Sequence, residues 1–109
     1  MMTTFDEREN AYEAKFARDE ELRFKAKARR DKALGAWAAA QLGLSGTAAE
    51  DYVKDILRSD FKHPDDTNLI VAKVLADFQA KGLKVDERAL RKKLVELMAQ
   101  AVAEIEAGK

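Results

Sequence analysis

Apolar residues are sparse at the start of the chain and regular after residue 33. Four stripes stand out: Leu34, Trp37, Ala38 and Leu42 with Gln41 on the same face; Tyr52, Val53, Ile56, Leu57 and Phe61; Ile70, Val71, Val74, Leu75 and Phe78; and Leu90, Leu94, Leu97, Met98, Ala101 and Ile105. Spacings of three and four put each set on one side of a helix and predict four amphipathic helices. The punctuation between them agrees. Gly43 suits the residue just past a helix end. Thr47 with Glu50 forms a capping box that starts a second helix over about residues 48–60. His63–Pro64 breaks that helix, because a residue before proline is pushed out of the α region. Asp65 or Asp66 then caps a third helix, and Gly82 ends it. Val85, Asp86 and Leu90 read as the residue before the cap, the cap and the staple partner of a fourth. Short loops place successive helices antiparallel, so the fold class is all-α, a small antiparallel four-helix bundle.

The first helix departs from this regularity. Residues 3–42 hold no proline and a single glycine, Gly35, and 17 of the 28 residues from 5 to 32 are charged. Helical throughout, residues 5–42 would measure about 57 Å and overhang the body. Phe5, Tyr12 and Phe16 fall within about 40° of one another on a helical wheel, a stripe suited to lying in a partner's groove. Leu22 and Phe24 do not continue it. Residues 22–29 alternate apolar and basic, which permits a strand, but Ala26, Ala28 and the lysines favour helix. Charge divides the segment further. Residues 1–22 carry three basic and seven acidic side chains, net −4; residues 23–32 are net +5; the remainder is net −1. The expected organisation is a mobile tip over residues 1–18, built to meet a partner, and a four-helix bundle over residues 19–109.

Composition removes most other functions. The chain has 109 residues, no cysteine, one histidine and zero formal net charge. That length suits one domain. Thiolate zinc sites and disulfides are excluded, and zero net charge argues against nucleic acid as the main partner. No apolar run is long enough to span a bilayer, and the acidic start does not resemble a signal peptide. His63, alone in a turn, reads as structural or solvated. The Asp65–Asp66 pair reads as helix capping rather than metal ligation. Phosphate-cradling glycine motifs are missing, and Ser45 and Ser59 have no base in view. The cations from Lys25 to Lys32 form a solvated basic turn before they form a phosphate site, and Trp37 is core rather than a nucleotide platform. Neither catalysis nor a metal is expected. Carboxylates in the tip should titrate near 4, so pH should matter little between about 6 and 8.

Four stretches carry a family resemblance: TTFDERENAYEAKF, DEELRFKAKARRDKALGAWAA, LGLSG and SDFKHP. Together they resemble the zeta subunit of alphaproteobacterial F-type ATP synthases, an ATPase inhibitor. The resemblance is densest over residues 3–46. It implies a four-helix bundle with a mobile N-terminal inhibitory segment that acts at the α/β catalytic interface near γ. Its partners would be the α, β and γ subunits, and its location cytoplasmic, peripheral to the inner membrane through the enzyme, with the free protein monomeric. On this reading Phe5, Tyr12 and Phe16 are apolar anchors, while Arg8, Glu9, Glu13 and Lys15 set register by charge pairing. The resemblance also implies ADP or ATP as a regulatory ligand, with no motif here to mark its site and no required cofactor. The alternatives are a helical adaptor for another complex, a purine-nucleotide-binding bundle without strong inhibition, and a nucleic-acid binder using residues 23–32.

Overall fold

The computed structural model describes residues 20–64 and 66–108, and among these it is entirely helical. The helices are α1 (Glu20–Gln41), α2 (Gly46–Lys62), α3 (Thr67–Ala80) and α4 (Glu87–Glu106). Residues 22–29 are helical, not a strand. The part of the long first helix expected before Glu20 lies outside the described residues.

α1 is the spine, packing most extensively against α2 and then α4, while α3 makes smaller contacts with α2 and α4. The pairings are antiparallel. Lys27 meets Asp60 on α2, and further up α1 the backbone at Gly35 approaches Val53. Arg29 pairs with Glu104 of α4, while Ala36 and Leu97 border the same crevice higher up. The result is a four-helix bundle in which α1 runs antiparallel to both α2 and α4.

The core sits in the upper half. Leu34, Ala38, Ala39 and Leu42 of α1 cluster with Tyr52, Ile56, Ile70, Val71, Val74, Phe78, Leu90 and Leu94. Phe78, Leu34, Ile56, Ile70 and Leu90 are fully buried, each contributing about 1.5–3 kcal/mol of transfer free energy. Trp37 is half-buried and meets Phe78 edge-to-face, with ring centres 5.7 Å apart. A second, smaller cluster lies lower, where Ala26 and Val102 are buried against Leu22, Met98 and Ile105. α3 does not extend to that level. Its first residue, Thr67, borders a groove with Arg30 of α1 and Val102 of α4. Below this point the described residues that pack belong to α1, α2 and α4.

The helix ends show local sequence chemistry at work. α1 closes with Gly43 at φ 78°, Leu44 N–H donating to the Ala39 carbonyl and Gly43 N–H to Ala40. The same double closure follows α3, where Gly82 takes φ 79° and Leu83 donates to Phe78. Both are αL terminations that glycine adopts without a Cβ penalty. Asp86 caps α4 as read from the sequence, its side chain accepting the Ala89 N–H at 2.7 Å. Asp66 stands at the cap position of α3, but its side chain makes no cap bond there.

Three expectations need correction. The Thr47–Glu50 box does not start α2; the helix begins at Gly46 behind Ser45, which makes no side-chain cap bond. Gly46 sits at φ 55°, and the Ala49 N–H closes the turn on the Ser45 carbonyl, so Thr47 is already inside the helix. Gln41 is exposed rather than core, because α1 is in its last turn there. Phe61 is 73% exposed, since it lies about 140° round α2 from Ile56, one of the helix's buried residues.

Candidate functional site

All seven residues expected to form the partner-binding segment, Phe5, Arg8, Glu9, Tyr12, Glu13, Lys15 and Phe16, lie outside the described residues. What the structure describes is the body that would carry them, and three features of it are chemically notable.

The first is a charged cluster sealed into the α1–α2 seam. Lys27, Arg30 and Asp31 occupy consecutive turns of α1 and face Asp60 on α2. Asp31 is completely buried, and Arg30 is nearly so. Arg30 donates from Nε to Asp31 Oδ1 at 3.0 Å. Lys27 Nζ stands 3.9 Å from Asp60 Oδ1, an ion pair too long for a good hydrogen bond. Burial, and then a side-chain hydrogen bond with Asp60, push the Asp31 carboxyl up to about 7, against the opposing pull of Arg30. No signal in the sequence marks this cluster. Asp31 is the one acid in a basic run, and nothing in helical spacing distinguishes a sealed aspartate from a solvated one.

The second is an open groove of about 670 Å³ beneath the start of α3. Leu94, Val95, Met98, Ala99 and Val102 of α4 line it, with Thr67, Arg30 and Arg91 at its rim. Arg91 donates to Asn68 Oδ1 at 2.8 Å and pairs with Glu87, holding a guanidinium at the mouth. Val95 is 69% exposed on this wall. On the other side of the bundle Phe24, 60% exposed, borders a smaller apolar cleft with Leu57 and Phe61.

The third is a polar clasp between α2 and α3. Tyr52 Oη donates to Asp77 Oδ2 at 2.8 Å, Lys73 pairs with the same carboxylate, and the Lys73 ammonium lies 5.2 Å from the Tyr52 ring centre. Burial and then the Asp77 hydrogen bond raise the Tyr52 hydroxyl above its usual range, so it stays a donor throughout ordinary pH. This contact fixes α3 on α2 and supplies no nucleophile.

His63 is exposed at the end of α2, its backbone N–H donating to the Ser59 carbonyl. Among the described residues no group of three or more histidine or acidic side chains gathers as a metal site. Nor is any described helix long and apolar enough to cross a membrane.

The described residues define a protein of the small all-α bundle class, with buried polar groups bracing its helix seams. Within that class the family is specific: the chain matches ATPase inhibitor subunit zeta over residues 2–104 and belongs to that family. Membership supports an inhibitory, regulatory role and association with ATP synthase. No curated protein shows a significant match to the chain.

Proposed function

We propose that the chain blocks ATP hydrolysis by an F-type ATP synthase. Residues 1–18 are the inhibitory segment, entering the α/β catalytic interface near γ, and the bundle is the body that presents them. One observation carries this reading: the family match runs through residues 2–104, so it takes in the segment and the bundle alike. The segment's composition fits the task. With few large apolar residues it gains order on a partner rather than alone, and Phe5, Tyr12 and Phe16 are its anchors. A helix wedged into an interface that must open and close stops rotation in the hydrolytic direction. The chain works on the cytoplasmic side, held at the inner membrane by the enzyme.

ADP or ATP is proposed as a regulatory ligand. The groove under α3 favours this, because its apolar wall can hold a ring while Arg91 offers a guanidinium to phosphate. The main test is ATP hydrolysis by purified ATP synthase with the full chain and with a chain lacking residues 1–18. Inhibition by the full chain alone supports the reading, and equal inhibition by both moves the inhibitory site into the bundle. Chemical-shift mapping with ADP and ATP tests the groove, where Arg91, Leu94 and Met98 are expected to respond.

A further inference from the structure

Two buried carboxyl oxygens in the α1–α2 seam, Asp31 Oδ2 and Asp60 Oδ1, have no hydrogen-bond partner. Buried acceptors without donors are costly, and two carboxylates side by side cost more. A single proton resolves both problems. Asp31 stands one turn above Lys27, which faces Asp60 across the seam, so a proton placed on Asp31 turns that carboxyl into a donor for Asp60. We propose that Asp31 and Asp60 hold one shared proton across the seam, and that releasing it as the solution turns alkaline loosens the lower half of α1 from α2.

The surroundings decide whether release is tolerated. From α1, Arg30 binds Asp31 Oδ1, which leaves Oδ2 to Asp60, and Lys27 faces Asp60 at 3.9 Å. From α2, Asp60 is the acid at this level of the seam, since Asp55 is turned outward to Arg58. From α4, Arg91 looks into the groove that Arg30 lines but is held by Glu87 and Asn68, and Glu104 is held by Arg29. Arg30 Nη2 is buried without a partner, so its guanidinium is not rearranged toward a second carboxylate as the seam stands. Deprotonation therefore sets two acids against one bound arginine and one distant lysine. Burial and the Asp60 contact hold Asp31 up to about 7, so the change falls near neutral pH.

The location gives the clasp its consequence. α3 reaches this level at its first residue, Thr67, and the neighbouring Phe24–Leu57–Phe61 cleft is open to solvent. Among the described residues α2 and α4 pack against the lower half of α1, so weakening one of these seams loosens the stretch that leads into residues 1–19. The shared proton belongs to the seam itself and does not depend on the inhibitory reading.

The experiment uses the full chain. Side-chain carboxyl carbons of the aspartates are followed by NMR from pH 5 to 9, with amide protection factors for residues 26–34 measured across the same range. The expected result is one aspartate titrating near 7, with protection falling several-fold as it does so. In Asp31→Asn, which keeps a donor toward Asp60, protection should no longer vary with pH. In Asp60→Asn the new amide donates to the Asp31 carboxylate, and the titration near 7 should move to lower pH. An Asp31 carboxyl that titrates near 4 in the natural chain overturns the proposal. So does protection that ignores its titration, or an Asp60→Asn protein that titrates as the natural chain does.

Discussion

Replacing Gly35 with alanine sets two known effects against each other, and the structure says which wins. Mid-helix glycine costs about 1 kcal/mol relative to alanine, so at an open site the change would stabilise α1 by that amount. Gly35 is not at an open site. It is buried where α1 crosses α2, and an added Cβ would meet Val53 Cα at 3.0 Å and Val53 Cγ2 at 3.2 Å. The nearer atom is backbone, so no rotamer change relieves it; α2 itself must move along the most extensive seam in the bundle. Overpacking of this kind costs about 1–3 kcal/mol, which exceeds or cancels the propensity gain. The expected net loss is about 1 kcal/mol, or about 4–8 °C in melting temperature for a domain of this size. Urea unfolding followed by circular dichroism measures it. Ala36→Gly, on the exposed face one residue away, is the propensity control and should lose about 1 kcal/mol. Val53→Ala combined with Gly35→Ala removes the clash with the valine methyl but leaves the clash with the α2 backbone, so rescue should be partial. A Gly35→Ala protein about 1 kcal/mol more stable than the natural chain would refute the close approach of α1 and α2.

Phe78→Ala should destabilise the bundle by about 3–5 kcal/mol in the same assay, since Phe78 is the largest fully buried side chain and supports Trp37. Asp86→Ala should cost about 1 kcal/mol by removing the bond from the Ala89 N–H, and Asp86→Ser should recover most of it. Deleting residues 1–18 should leave the melting temperature within about 2 °C, because the buried residues of both clusters begin at Ala26; a larger fall would show that the segment packs on the bundle. Stability itself should depend on pH through Asp31. The folded state holds a proton up to about pH 7 that the unfolded chain gives up near 4, so stability falls by up to about 1.4 kcal/mol per pH unit across that window and levels off above it. Asp31→Asn should flatten that slope in melting temperatures measured from pH 4 to 8, and an unchanged slope would assign it to another group.

The helices were legible because each is written twice, once in its stripe and once in its ends. Gly43, Gly82 and Asp86 terminate or start helices by backbone needs that act within a few residues, so sequence alone can place them. The α3 stripe was legible for the same reason: Ile70, Val71, Val74 and Phe78 share one face and all bury in the upper cluster. What escaped depended on how far round each helix the cover extends. Phe61 prolongs the Val53–Leu57 edge of the α2 stripe, about 140° round the helix from buried Ile56, and turns out of the core. Asp31 sits in a run of cations that periodicity marks as solvated, yet it shares a face with buried Leu34, Gly35 and Ala38, and Gly35 on that face lies against α2. Both lie along the α1–α2 seam, Phe61 in the open cleft at its edge and Asp31 sealed within it. A pattern of period 3.6 specifies which face turns inward, but not how many helices are present to receive it. The expected pH-indifference drew only on the tip's carboxylates, and the Asp31–Asp60 pair places the most perturbed acid among the described residues in the body instead.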